Sequence, residues 1–391
     1  MVWFWIAAFT VPAALCAALT RAAIAAAPRV GLIDRPAARK LHLAPMPMGG
    51  GVAIYLTVMA AMLGAVAGAW LTLKVPALGA LIPESLAKYV PGVLSKASEL
   101  GWIALAGTVQ MLLGLVDDRR PGGLDYKLRL AVEVGLVAWL VYLGIGLKLD
   151  PLPSWVSGAV TVVWVVGLTN AVNFLDNMDG LAAGVSFLAA AFFAAVMALV
   201  GSLFVAGCFL VVAGALLGFL RYNWNPARIF MGDAGSNFLG FWLGMLTVVG
   251  TFVVAPFNPV TVFAPLCILA VPIYDSASVI ALRLAQGRSP FQPDKQHFSH
   301  RLVQLGLTHR KAVLLIYLVT ITTGLGGVLL YFLTPARAGS VAPLVVLQVT
   351  CMLGVVGLLE AAAHGRFGAQ GEPRVPLPIP TDAKGPEPGQ G

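Results

Sequence analysis

Long apolar segments, separated by short polar connections, occupy most of this chain. Each is long enough, or nearly so, to cross a bilayer core, which takes about 20 helical residues. Because lipid offers the backbone no hydrogen-bond partners, each segment is expected to be an α-helix. The pattern predicts an all-α, polytopic integral membrane protein with eleven spans, or ten if the stretch 181–220 is divided differently. The eleven segments are 3–26, 48–70, 101–116, 128–147, 155–174, 181–200, 203–220, 235–254, 261–282, 311–333 and 341–362.

Lysine and arginine are distributed unevenly among the polar connections. If the N-terminus lies outside, all but five of the 25 Lys and Arg residues fall on the cytoplasmic side. The five are Lys74, Lys88, Lys96, Lys148 and Arg337. Cytoplasmic loops carry the excess of positive charge in membrane proteins. We therefore predict an outside N-terminus, a cytoplasmic C-terminus and a place in the plasma (inner) membrane.

Composition supports the membrane assignment and narrows the partners. Hydrophobic residues make up 59% of the chain and charged residues 11%, whereas soluble domains carry about 25% charged residues. The net charge of +8 is spread over several loops, which favours anionic lipid and a phosphorylated substrate over nucleic acid. The four cysteines all lie inside apolar segments without paired spacing, so neither disulfides nor zinc are indicated.

No internal repeat divides the chain. We predict one integral-membrane domain over residues 1–364 and a separate tail over residues 365–391. The tail is rich in proline and glycine and poor in apolar residues, so it cannot bury enough surface to offset chain entropy. It is therefore expected to be a disordered cytoplasmic tail.

Aspartates at the ends of apolar segments are the strongest candidates for chemistry. Only 17 acidic residues occur in the chain, and five of them lie in three short segments: Asp117, Asp118, Asp176, Asp179 and Asp233. A carboxylate inside a bilayer costs roughly 2.5–3.5 kcal/mol at a helix centre, so such groups persist where they serve a function. The adjacent pair 117–118 suggests a bound cation or a shared proton, or else a salt bridge with the two arginines that follow.

The other two acidic segments have distinct local patterns. Asp176 and Asp179 are three apart and would share one helix face if they open a helix, with Asn170 and Asn173 just before them. Asp233 lies in a Gly-Asp-Ala-Gly-Ser turn that opens a span, where backbone N–H groups could cradle a phosphate and the carboxylate could hold a hard cation. An ordinary helix N-cap is the alternative for this turn.

Basic residues and histidines occupy the same predicted face. Lys40 and His42 follow Arg35 and Arg39 in the first loop, next to three consecutive glycines that could equally serve close helix packing. His297, His300 and Arg301 lie in a later loop, where a phosphate-binding cluster fits better than zinc. Asp275 is intramembrane and has no evident partner in the sequence.

As a set, these motifs resemble the polyprenyl-phosphate N-acetylhexosamine-1-phosphate transferase superfamily, of the glycosyltransferase family 4 type. The segments that carry the resemblance are DRPAARKLH…PMGGG, LGLVDDRR…K, NAVNFLDNMDGLAAG, FMGDAGSNFLGF and HFSHRL, in that order between residue 29 and about residue 310. The resemblance implies transfer of a sugar 1-phosphate, GlcNAc-1-phosphate above all, from a UDP-N-acetylhexosamine to polyprenyl (undecaprenyl) phosphate. UMP is released, and the lipid-linked product enters cell-envelope polysaccharide synthesis.

The resemblance also implies roles for individual residues. Asp117, Asp118, Asp176 and Asp179 would be catalytic, with Asp117 or Asp118 as a candidate base. Asp233, Asp118 and Asp176 would bind Mg²⁺, with Mn²⁺ as an alternative. The substrate contacts would come from Lys40, His42, Lys127, Asn173, His297, His300 and Arg301. The enzyme would act on the cytoplasmic face, and the resemblance admits a homodimer.

One position departs from the family pattern, and one segment indicates a branch of the family. Many members carry a His-x-His-His run, but here Ser299 stands at one of the histidine positions. The segment 39–42 favours the branch that uses UDP-GlcNAc-type donors.

The alternative function from another class is an ion-coupled secondary transporter, which predicts carboxylates near the bilayer midplane and inverted repeats. A CDP-alcohol phosphotransferase is excluded, because Gly184 stands where that motif needs arginine.

Overall fold

The computed structural model describes residues 2–34, 45–80, 83–149, 151–250, 259–289, 297–332 and 335–366. These residues are almost entirely helical. The helices are α1 (Val2–Val30), α2 (Gly50–Lys74), α3 (Pro76–Gly79), α4 (Glu84–Ala87), α5 (Val90–Ser95), α6 (Ala97–Arg119), α7 (Tyr126–Tyr142), α8 (Ser154–Leu175), α9 (Leu181–Leu199), α10 (Leu203–Asn223), α11 (Asp233–Val249), α12 (Ala264–Ile268), α13 (Ala270–Ala285), α14 (Phe298–Gln304), α15 (His309–Leu329) and α16 (Pro335–Arg366). Short 3₁₀ turns occupy Pro259–Phe263 and Leu330–Phe332.

The all-α prediction is confirmed in the described part, but the number of spans is not. Each of the eleven predicted segments contains a helix, yet among the described residues seven helices are long and apolar enough to cross a membrane. An eighth span arises if α12 and α13, which meet at a 71° bend, are counted together. Helices α7 and α11 have 17 residues each, the lower limit of the roughly 17–25 residues that a spanning helix takes. Eleven spans and the orientation of the termini remain predictions.

A small two-stranded sheet joins α1 to α2. Strand β1 (Ile33–Asp34) pairs antiparallel with β2 (Met46–Pro47). The Phe230 N–H donates to the Pro47 carbonyl, and the Phe230 carbonyl accepts from Gly50 N–H. The hairpin is therefore attached to the segment that leads into α11. Residues 35–44, which carry Lys40 and His42, lie between its strands and outside the described residues.

Helix α11 forms the centre of the bundle. Every residue from Ala234 to Val248 is buried, so this helix packs against protein on all sides. Its glycines make this possible: a Cβ at Gly240 would lie 2.7 Å from the Leu168 carbonyl oxygen, and one at Gly244 would touch Val165 on the same helix, α8. The two helices therefore approach closely along this face.

Two further glycines bring α2 and α6 onto the start of α11. A Cβ at Gly114 would lie 2.3 Å from the Asp233 carbonyl oxygen, and one at Gly51 would lie 2.2 Å from Gly235. The interpretation of the Gly49–Gly51 turn as a packing element is thus confirmed for Gly51. These approaches place the C-terminal turn of α6 beside the N-terminal turn of α11, where the aspartates lie.

Candidate functional site

A single guanidinium joins four helices at the centre of the candidate site. Arg129, in the first turn of α7, donates from Nη1 to Asp233 at 2.8 Å and to Asp117 at 3.4 Å. Its Nη2 donates to the side-chain oxygens of Asn173 and Asn237, at 3.4 and 3.3 Å. The predicted convergence of Asp117, Asn173 and Asp233 is therefore a feature of the structure. Arg129 supplies the positive charge between them and is not among the site residues predicted from the sequence.

Asp233 turns its carboxylate into this cluster. Its Oδ1 accepts from Asn173 Nδ2 at 3.0 Å, while its Oδ2 accepts from Arg129. The same Asn173 nitrogen lies 2.9 Å from Ser236 Oγ, one turn further along α11. Asn173, at the end of α8, thus orients the carboxylate from one side as Arg129 does from the other.

The start of α11 is capped by a residue from another helix. Asp118 accepts from the Asp233 N–H at 2.9 Å through Oδ1 and from the Ala234 N–H at 3.1 Å through Oδ2. The prediction that these N–H groups cradle a phosphate is therefore wrong, because they already donate to a carboxylate. The N-cap alternative for Asp233 is also wrong, since Gly232 occupies that position with a positive φ of 73°.

Asp117 has its own set of partners. Its Oδ1 accepts from the Leu124 N–H at 2.6 Å, and its Oδ2 faces Arg129. Arg119 and Arg120 are exposed beyond it. The salt-bridge alternative named the wrong arginines, because the counter-charge comes from the next helix.

The Asp176–Asp179 segment is a turn between helices rather than the first turn of one. Asp176 follows the last residue of α8, and α9 begins only at Leu181, so the predicted shared helix face is wrong. Asp179 Oδ2 accepts from Asn225 Nδ2 at 2.9 Å and from Ala227 N–H at 3.0 Å. Asp179 therefore holds the connection between α10 and α11 in place.

Asp176 lies in strongly negative surroundings. Burial, followed by the charges of Asp233, Asp118 and Asp179, raises the pKa of its carboxyl to about 8. Like charges so close together disfavour ionisation unless a cation is present. The carboxylates from α6, the α8–α9 turn and α11 thus lie near enough to act on one another electrostatically.

These residues fit a magnesium ion better than a zinc ion. Among the described residues, no three His, Cys, Asp or Glu side chains form a ready-made metal site. Mg²⁺ does not need one, because it prefers oxygen ligands and takes one or two carboxylates together with substrate phosphates and water. The mutual repulsion at Asp176 gives an added cation a favourable place. The predicted ligands Asp118, Asp176 and Asp233 therefore have suitable chemistry, and their metal role stays a prediction.

The predicted histidine loop is in the structure the start of α14, with His297 as its N-cap residue, and it packs against the same turn. His297 and Ser299 are buried, and the Ser299 hydroxyl donates to Asn177 Oδ1 at 2.5 Å. The His297 ring contacts Phe174 edge-on, with centroids 6.0 Å apart. The departure at Ser299 therefore has a structural account, because the serine attaches the first turn of α14 to the α8–α9 turn.

Some of the remaining predicted residues have contacts in the structure, and others lie outside the described residues. The ring of His300 lies 6.4 Å from that of His297, and Arg301 Nη2 donates to Ser278 Oγ at 2.7 Å. Lys127 is exposed, with its ammonium over the Tyr126 ring, two residues before the arginine that enters the cluster. Lys40 lies with His42 outside the described residues. The substrate contacts of all of them stay predictions.

Comparison with known proteins places the chain among enzymes of one type. The family model described as glycosyl transferase family 4 matches residues 100–251, which include every aspartate of the cluster. A probable undecaprenyl-phosphate N-acetylglucosaminyl 1-phosphate transferase from Bacillus subtilis is 32% identical over 302 residues, which cover 74% of this chain and 75% of that protein.

Two other relatives cover still more of the chain. A decaprenyl-phosphate N-acetylglucosaminephosphotransferase from Mycolicibacterium smegmatis is 33% identical over 371 residues, 88% of this chain and 85% of that protein. An undecaprenyl-phosphate alpha-N-acetylglucosaminyl 1-phosphate transferase from Escherichia coli K12 is 30% identical over 322 residues, 78% and 77% of the two chains.

Proposed function

The chain belongs to glycosyl transferase family 4, and from this membership we propose that it is a polyprenyl-phosphate N-acetylhexosamine-1-phosphate transferase. The observation that carries the proposal is similarity over 74% and 88% of the chain to enzymes named for this reaction. The proposed donor is UDP-GlcNAc, because the names of those relatives specify N-acetylglucosamine. The proposed acceptor is undecaprenyl phosphate or a polyprenyl phosphate of similar length.

In the proposed reaction, an oxygen of the lipid phosphate attacks the β-phosphorus of the nucleotide sugar. A new P–O bond forms, and the bond from the β-phosphorus to the oxygen bridging it to the α-phosphate breaks. UMP leaves with that bridging oxygen, and the sugar remains on its phosphate. Such a reaction needs positioning and neutralisation of several negative charges more than it needs covalent catalysis.

The cluster around Arg129 suits this chemistry. Its guanidinium, held by Asp117 and Asp233, is a fixed positive charge beside the place where phosphates would gather. We propose that Asp233 binds Mg²⁺ together with Asp118 or Asp176. A divalent ion there would offset the charge of the substrate phosphates. In the adjacent pair, Asp118 caps α11, whereas Asp117 accepts from the Leu124 N–H and faces Arg129.

The position of the cluster favours a transferase over a transporter. Asp117 lies in the last turn of α6 and Asp233 in the first turn of α11, at helix ends rather than midway along them. A lipid phosphate at the membrane surface could reach such a site while its chain stays in the bilayer. The positive-inside pattern of the loops supports placing this end at the cytoplasmic face of the plasma membrane.

The test is product identification with purified protein in detergent. Undecaprenyl phosphate, Mg²⁺ and UDP-GlcNAc should give UMP and a lipid that carries a diphosphate and one N-acetylhexosamine by mass spectrometry. UDP-GalNAc in parallel reports sugar preference, and EDTA reports the need for a divalent ion. Folded protein that releases no UMP with either sugar would refute the proposal.

A further inference from the structure

Asp275 is a buried carboxylate whose two oxygens each receive a hydrogen bond from one short segment. The residue lies on α13 and is 0% exposed. Its Oδ2 lies 2.9 Å from Nδ1 of His297, and its Oδ1 accepts from the Phe298 N–H at 2.7 Å. The start of α14 is therefore bound to α13 at this carboxylate.

These contacts define which nitrogen of His297 carries a proton. A carboxylate can only accept, and the backbone N–H of Phe298 can only donate. We assign the proton to Nδ1 of His297, because Oδ2 of Asp275 then has a donor and Nδ1 has an acceptor. In the neutral imidazole Nε2 then carries the lone pair.

Resting on the proposed function, we propose that Asp275 is a positioning residue that fixes His297 as a hydrogen-bond acceptor for the nucleotide sugar. Nε2 would accept from a hydroxyl or amide N–H group of the bound donor. The resemblance implied contacts of the segment with His297 and His300 to both phosphates and sugar; an imidazole lone pair repels phosphate oxygens and therefore suits the sugar or the nucleoside. Carboxylate, Nδ1–H and a free Nε2 form the arrangement by which a buried Asp orients a functional histidine in serine proteases.

The location of His297 supports a role toward the substrate. Its ring contacts Phe174, two residues before Asp176, and the neighbouring Ser299 bonds Asn177. The α8–α9 turn that bears Asp176 and Asp179 is thus in contact with the segment that Asp275 anchors. A change in the His297 ring would act next to the candidate site.

The isosteric variant Asp275→Asn tests the proposed tautomer of His297. Asparagine has one acceptor oxygen and one donor nitrogen, so it cannot accept from both Phe298 N–H and His297 Nδ1–H. A buried Phe298 N–H left without an acceptor would be unfavourable. Moving the histidine proton from Nδ1 to Nε2 avoids that cost. The variant should therefore change Nε2 from an acceptor to a donor without altering the shape of the site.

Two kinetic comparisons test the consequence. Asp275→Asn should lower kcat/KM for UDP-GlcNAc by about 10- to 100-fold, as loss of a carboxylate behind a functional histidine does at metal sites. In a His297→Gln background the same substitution should add almost nothing, because Asp275 acts through that ring. Equal effects in both backgrounds would overturn the proposal. Glu99→Gln, which removes an exposed carboxylate paired with Lys96, serves as a control.

Equilibrium binding of UDP-GlcNAc and of UDP identifies the group that His297 contacts. Weaker binding of UDP-GlcNAc alone in Asp275→Asn assigns the contact to the sugar. Equal weakening of both ligands assigns it to the uridine part. Unchanged binding of both would contradict the proposal.

A spectroscopic measurement does not depend on turnover at all. The chain has five histidines, so ¹⁵N-histidine labelling gives few ring signals, and the one absent in His297→Gln is assigned to His297. Nδ1 of that ring should be protonated in the wild type and unprotonated in Asp275→Asn. Unprotonated Nδ1 in the wild type would overturn the inference even if the variant failed to fold. It would do so without bearing on the proposed transferase reaction.

Discussion

Arg129 on α7 and Asp233 on α11 form an ion pair, with guanidinium nitrogen and carboxylate oxygen 2.8 Å apart. The same guanidinium reaches Asp117 at 3.4 Å. These side chains are only partly exposed, so the charges interact more strongly than they would on an open surface. Arg129 therefore links Asp117 and Asp233, two of the carboxylates of the candidate site.

We predict that Arg129→Gln impairs both activity and stability. Removal of the guanidinium leaves Asp117 and Asp233 without their cation, which should cost about 1–3 kcal/mol of folding free energy. UMP release should fall by about 100-fold or more, because the fixed positive charge beside the substrate phosphates is lost. A 100-fold fall corresponds to about 2.7 kcal/mol of transition-state stabilisation. Thermal unfolding in detergent and the UMP assay measure the two effects.

A conservative variant and a surface variant serve as controls for Arg129→Gln. Arg129→Lys should restore little, because an ammonium is a point charge that cannot span the two carboxylates and two amides that the guanidinium fork contacts. Arg221→Gln removes an exposed arginine at the end of α10 and should behave as the wild type. Full activity of Arg129→Gln would show that the ion pair has no part in catalysis.

Asp118→Asn should lower stability as well as activity. Its two oxygens receive the N–H groups of Asp233 and Ala234, and asparagine can accept only one of them. Loss of one cap bond costs about 0.5–2 kcal/mol. Asp117→Asn in the same thermal-unfolding experiment is the comparison, because Asp117 does not cap a helix. A larger fall in Tm for Asp117→Asn than for Asp118→Asn would argue against the capping role.

Two glycines of α6 allow a matched test of how closely this helix packs against α11. Gly114→Ala would place a Cβ 2.3 Å from the Asp233 carbonyl oxygen, which should cost about 1–3 kcal/mol through overpacking. UMP release should fall with it, because Asp233 moves. Gly101→Ala lies on the same helix with nothing within 4 Å and should leave Tm and activity near those of the wild type. Similar results for both variants would mean that α6 and α11 tolerate separation here.

Ser299 provides a test of the histidine loop. Ser299→Ala removes the hydrogen bond to Asn177, so the KM for UDP-GlcNAc should rise by roughly 3- to 10-fold, equivalent to a hydrogen bond of about 1 kcal/mol. Ser299→His introduces the residue common in the family, yet this position is only 1% exposed. We expect it to lower Tm and activity more than alanine does. A more active histidine variant would show that the loop adapts to it.

The sequence predicted the helices better than their arrangement. Apolar length alone located helical segments, because lipid leaves the backbone no other regular structure. It could not show that α11 is surrounded by protein, and a helix in that position can be shorter than a bilayer is thick. The eleven apolar runs therefore located helices, whereas the number of complete spans stays a prediction.

The candidate site was predictable as a set of residue types but not as a set of contacts. Asp117, Asn173 and Asp233 stood out as polar groups at the ends of apolar runs, and they meet in the structure. Arg129 did not stand out, because Lys127 lies two residues away with the same charge. Only the packing of α7 against its neighbours decides which of the two enters the cluster. The partner of Asp275 was equally hidden, since His297 lies 22 positions further along the chain.

The most direct test of the central claim follows the β-phosphorus itself. UDP-GlcNAc labelled with ³²P at the β-position is incubated with the purified protein, Mg²⁺ and undecaprenyl phosphate, and the lipid and aqueous fractions are separated. The account predicts that the label moves to the lipid fraction, that unlabelled UMP appears in equal amount, and that Asp233→Asn abolishes both. Label left in aqueous UDP, with sugar on the lipid, would mean transfer of the sugar without its phosphate and would contradict the account.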